Sequence, residues 1–176
     1  DGENNGKIDV SGTPPFVINF KLKTDEVSDS TWLIGKMDDQ YGVQVSPTTF
    51  DVYAHAKDDS WPTLRADLPD NFWGNWHEIT AVYTGSTFRL FIDGNETATL
   101  DKTFELASYS SNLFTVGYNN GKPSGNGFLR PYAGKFADMT MYSGGDAIAS
   151  DATYDAIMAS LDKRTQILNI DAKAAE

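Results

Sequence analysis

No cysteine occurs among the 176 residues of this chain, which removes disulfide frameworks, thiolate metal sites and any cysteine nucleophile. Histidine is scarce, with only His55 and His77, and neither lies in a zinc-type spacing. Basic residues are the minority, 14 Lys and Arg against 25 Asp and Glu, for a net charge of −11. Such a balance makes phosphate backbones and anionic membrane surfaces poor partners, because binding either depends on local positive potential; nucleic acid and membrane are therefore not expected, and an uncharged ligand is compatible. No apolar run approaches the length needed to cross a bilayer. The chain also lacks an initiating Met and a signal peptide, and opens on the polar, linker-like Asp1-Gly2-Glu3-Asn4-Asn5-Gly6. It reads as a domain cut from a larger protein.

Aromatics are plentiful, with 4 Trp, 8 Tyr and 10 Phe, and 15 glycines supply turns. Apolar residues alternate with polar ones along most of the chain, the period of a strand. In 16–24, Phe16, Ile18 and Phe20 take one face and Val17, Asn19 and Lys21 the other. Further strands are predicted at 32–37, 41–46 and 50–56, with a loop over 57–70. Residues 68–94 then hold the clearest signal: a Trp-bearing turn, two alternating strands, and turns at Thr84-Gly85-Ser86 and Asp93-Gly94-Asn95. Strands at 97–100, 113–118 and 134–142 follow, and 151–161 is the one helical segment, capped by Ser150 or Asp151, with Tyr154, Ile157, Met158 and Leu161 on one face. The expectation is an all-β, two-sheet antiparallel sandwich with one short C-terminal helix. Residues 1–12 form a linker with a first strand at Ile8 and Val10, 13–164 the sandwich, and 165–176 an edge strand and tail.

Several short motifs occur in a fixed order: Trp32-Leu33-Ile34-Gly35-Lys36-Met37-Asp38, Tyr41-Gly42-Val43-Gln44, Asn75-Trp76-His77, Ile92-Asp93-Gly94, Val116-Gly117, and Gly134-Lys135 with Asp138. In that order they resemble a laminin-G-like, concanavalin A-like jelly-roll domain. The form with Leu68-Pro69 leading into Asn75-Trp76-His77 is similar to carbohydrate-binding modules appended to large bacterial β-galactosidases and other secreted glycosidases. The resemblance implies a noncatalytic module for terminal galactose, lactose or N-acetyllactosamine, extracellular or at the cell surface, with other domains of a parent protein as neighbours and a monomer by default. It also implies a possible structural Ca²⁺, for which Asp138 with main-chain carbonyls is the candidate; Asp38 and Asp39 read as turn formers. No cofactor for activity is expected. A protein-binding or structural adhesion domain of the same family is the alternative.

Catalysis finds little support in the residues. Paired carboxylates would have to stand about 5 to 10 Å apart across a cleft, and no Glu-x-Asp-x-x-Glu run, Gly-x-Ser-x-Gly elbow or phosphate loop is present. Strand parity is more informative. With Val43 and Val45, Phe50, Val52 and Ala54, and Leu33 facing inward, the outward set is Trp32, Lys36, Gln44, Asp51, Tyr53 and His55. Aromatic rings beside amide, ammonium, imidazole and carboxylate groups suit a sugar, whose C–H face stacks on a ring while its hydroxyls are read by polar groups. A twist or bulge packing Trp32 and Tyr53 under a loop is the competing reading. Trp61 and Trp73 are further stacking candidates on turns, whereas Trp76 is expected in the core and His77 in a structural role. Asn119 and Arg130, in the Gly-rich stretch 119–131, complete the candidate binding set.

Overall fold

The computed structural model describes residues 10, 15–36, 40–107, 114–117, 132 and 134–170. Among these residues eleven strands and one α-helix follow in chain order: β1 (Phe16–Thr24), β2 (Thr31–Lys36), β3 (Tyr41–Val45), β4 (Thr49–Ala54), β5 (Thr63–Asp67), β6 (Trp76–Tyr83), β7 (Thr87–Ile92), β8 (Asn95–Asp101), β9 (Thr115–Val116), β10 (Gly134–Ser143), α1 (Tyr154–Ala159) and β11 (Thr165–Ile170). They make two antiparallel sheets, six strands in the order β11-β10-β1-β6-β7-β8 and five in the order β5-β4-β3-β2-β9. The fold is the expected jelly-roll sandwich.

Alternation builds the core. Phe16, Ile18, Phe20 and Leu22 of β1 and Ile79, Ala81 and Tyr83 of β6 face Val43, Val45, Phe50 and Val52 of the other sheet, all essentially buried in one cluster. Each such large side chain contributes roughly 1.5 to 3 kcal/mol on burial. The opposite parity, Val17, Val82 and Phe91, meets a second, smaller cluster with Ile148, Ile157 and Leu161, so α1 roofs one end of the six-stranded sheet. The helix begins later than predicted: Thr153, not Ser150 or Asp151, is extended and caps it, its hydroxyl accepting from the Ala156 amide at 3.2 Å. The turn at Asp93-Gly94 takes φ of 52° and 75°, the left-handed pair that a tight hairpin requires.

Three expectations change. Residues 63–67 form β5 and not a loop; Leu64 and Ala66 point inward, and the charged Arg65 and Asp67 between them disguise an edge strand. Lys36 is not on the outer face. Trp32 pairs with Gln44 but Ile34 pairs with Val43, so Leu33 is an extra residue in a β-bulge and the parity of β2 reverses beyond it. Lys36 consequently lies opposite Tyr41 with no exposed surface. Trp76 is not core: His77 takes the inward position, stacked on Phe72 at 4.7 Å with its Nδ1 2.7 Å from Asp93, and Trp76 faces solvent with 47% of its surface exposed. The reading of His77 as structural holds.

Candidate functional site

The outer face of the five-stranded sheet carries the candidate site. In register across four strands run Trp32 on β2, Gln44 on β3, Asp51 on β4 and Arg65 on β5. The next row on the same face is Gly35, Gly42, Tyr53 and Thr63. Glycine matters at position 42, because a Cβ there would run into the Tyr53 ring and its hydroxyl. The Tyr53 side chain thus lies across the bare backbone of β3 instead of standing off the sheet, which is the close approach that glycine in a strand permits.

Two indoles flank that phenol. Trp32 meets Tyr53 edge to face at 5.2 Å and 78°, and Trp61 approaches from the β5 side at 5.6 Å and 58°. Trp61 is held from behind by His55, whose ring is parallel to it at 4.1 Å and 4°. Its turn is tied down as well: the Ala56 amide donates to Ser60 O at 2.9 Å, the Ala54 amide to Pro62 O at 2.9 Å, and Asp58 accepts from both the amide and the hydroxyl of Ser60. Those Ser60 bonds hold the Asp58 carboxyl below its ordinary pKa. The indole is therefore fixed in advance, with 44% of its surface open, and ordering it on binding costs little.

Together Trp32, Tyr53 and Trp61 with Gln44, Asp51, Thr63 and Arg65 line a trough of about 360 Å³, at the lower end of the range for small-ligand pockets. Arg65 donates from Nε and Nη2 to the two Asp51 oxygens at 2.9 and 2.7 Å, and this bonding raises the Arg65 pKa further. The trough therefore combines an apolar surface with fixed donors and acceptors and a balanced charge.

Of the residues anticipated from sequence, Gln44, Tyr53 and Trp61 line the trough and His55 backs it. Lys36 does not belong to it, being turned inward by the bulge. Nor does Trp73, which packs edge to face on Phe72 at 5.3 Å against the main core. Asn119 and Arg130, like Asp38 and Asp39, lie outside the described residues. Asp138 is far from the trough, at φ 51° on β10, where its carboxylate accepts from Lys21 Nζ at 2.8 Å. Among the described residues no group of three or more His, Cys, Asp or Glu converges there or elsewhere. Arg65, Thr63 and Gly42 were missed by sequence reasoning. The alternation of Leu64 and Ala66, and a glycine inside a strand pattern, are the signals that point to them.

A family model described as the concanavalin A-like lectin/glucanases superfamily (Laminin_G_3) matches residues 6–145. The chain belongs to this family. Among curated proteins none matches it. Solved structures share the fold at low identity: a Bacteroides ovatus protein provisionally described as carbohydrate-binding (TM-score 0.71, 14% identity, covering 96% of this chain and 48% of that one); the receptor-binding domain of botulinum neurotoxin D (0.61, 10%, 88% and 39%); and a heptameric SAP-like pentraxin from Limulus polyphemus (0.56, 11%, 92% and 82%). The chain spans about half the length of the Bacteroides protein and about two fifths of the toxin domain. At these identities the likeness shows the sandwich fold alone.

Proposed function

We propose that this chain is a noncatalytic carbohydrate-binding module whose trough takes the end of a galactose-terminated glycan, such as lactose or N-acetyllactosamine, and holds a larger secreted glycosidase at its substrate. The observation that carries the reading is the convergence of Trp32, Tyr53 and Trp61 around the Gln44, Asp51 and Arg65 row. One sugar face stacks on a ring while its rim hydroxyls meet the amide, the carboxylate and the guanidinium. The family and its carbohydrate-binding structural neighbour are in keeping with this. Catalysis is disfavoured by composition of the site: Asp51 is the one carboxylate among the described lining residues, and it is engaged by Arg65, whereas glycoside hydrolysis needs two.

A single short site predicts weak affinity, on the order of 0.1 to 1 mM. Titration of the chain with lactose and N-acetyllactosamine, alongside a glycan panel, checks it. Trp61→Ala is expected to weaken retention roughly tenfold, with unchanged melting temperature; retention of the wild-type affinity by this variant would exclude the trough. Exposed Trp76, on the opposite side of the sandwich, favours the second reading, a domain that docks a protein neighbour. Loss of binding to adjoining domains on Trp76→Ala, with no glycan bound by the wild type, would decide for it.

A further inference from the structure

Two arginines in this sandwich are gripped by a carboxylate in the same way, and only one of them donates a further hydrogen bond among the described residues. Arg89, on the outer face of the six-stranded sheet, donates from Nε and Nη2 to the two oxygens of Glu96, and its Nη1 donates to the carbonyl of Ala152 at 2.6 Å. It is buried, with its donor edge closed off by the segment that leads into α1. Arg65 makes the same fork to Asp51, but its Nη1 and the second Nη2 N–H meet no acceptor among the described residues. A guanidinium has five N–H donors, so three remain, two of them parallel on the Nη1–Nη2 edge. The Arg65 side chain is 66% exposed beside the trough, while the Asp51 side chain that grips it is 11% exposed.

The fork has two chemical consequences. It fixes the plane and direction of the guanidinium before any ligand arrives, which a lysine ammonium on a flexible stem cannot do. It also neutralises the charge, so an acidic sugar would gain little from Arg65 and would meet both the Asp51 carboxylate and a chain of net charge −11. A neutral pair of oxygens suits the open edge better.

We infer that Arg65, positioned by Asp51, is the specificity-determining residue of the trough: its free edge donates in parallel to the oxygens of two adjacent hydroxyls on an uncharged sugar. The inference rests on the trough being the glycan site. Asp51 acts as a positioning residue, and Gln44, next to it in register, reads the same rim.

The test is titration of wild type, Arg65→Lys and Asp51→Asn with methyl β-galactoside and with its 3-deoxy and 4-deoxy analogues. Wild type is expected to bind at least one deoxy analogue roughly tenfold more weakly than the parent sugar. Arg65→Lys, which keeps the charge but not the parallel donors, should bring parent and analogues to within about twofold of one another, and Asp51→Asn should move the ratio in the same direction. Because each ratio is taken within one variant, a partly unfolded preparation cancels out. Preservation of the wild-type ratio in Arg65→Lys overturns the inference and leaves the trough intact as a site. Failure of wild type to bind any galactoside overturns the inference together with the galactoside reading.

Discussion

The two outer faces of this sandwich start from the same alternation and end differently. On the six-stranded sheet, the outward apolar residues Val17, Val82 and Phe91 are roofed by Ile157 and Leu161. The outward polar residues beyond them satisfy one another: Asn19 donates to Thr80 at 2.7 Å, Tyr154 to Glu78 at 2.9 Å, and Lys21 to Asp138 at 2.8 Å. On the five-stranded sheet, no helix covers the described outward residues; the rings of Trp32, Tyr53 and Trp61 brace each other, and a donor edge is left over on Arg65. The contrast teaches that an aromatic on the outside of a sheet is not in itself a site. What distinguishes the trough is that its indoles keep an open side, and that Arg65 is fixed yet keeps donors to spare.

Substitutions can break this contrast at either face. The largest effect is expected from Ile157→Ala, which empties the centre of the small cluster under α1 and should cost about 2 to 5 kcal/mol. Urea or thermal unfolding measures it, and glycan affinity of the folded fraction should stay unchanged, because the helix and the trough lie on opposite sides. Next is Gly42→Ala. A methyl group there runs into the Tyr53 ring, which is buried between Trp32 and Trp61, so roughly tenfold loss of galactoside affinity is expected together with a stability loss of about 1 to 3 kcal/mol. Unchanged affinity would mean that Tyr53 is part of the scaffold and not of the trough. The smallest effect is expected for Trp76→Ala in the same titration: no change in sugar affinity, against the tenfold loss for Trp61→Ala, although the two indoles are almost equally exposed.

Legibility from sequence followed the same division. Strand alternation in 16–24 and 77–84 was enough to identify both faces of the six-stranded sheet, and the Asp93-Gly94 turn between β7 and β8 was readable because left-handed φ values demand such residues. In the five-stranded sheet, parity correctly turned Gln44, Asp51 and Tyr53 outward. It failed at Lys36, since nothing local to Thr31–Lys36 announces the extra residue at Leu33; a bulge is decided by the pairing partner. The motif reading, and not parity, failed at Trp76: its place in Asn75-Trp76-His77 was read as core, although the next residue, His77, holds the inward place. Arg65 was hidden because edge strands carry charges that resemble a loop. The remaining candidates at Asn119 and Arg130 fall outside the described residues.

The row of Trp32, Gln44, Asp51 and Arg65 draws each of its members from a different strand, and each sits on the side of the sheet that contributes nothing to the interior. Any one of them can be exchanged in a lineage without disturbing its inward neighbours Val43, Val52 or Leu64. A sandwich of this kind can therefore change diet by point mutation: the scaffold is inherited whole, while the menu is edited one strand at a time.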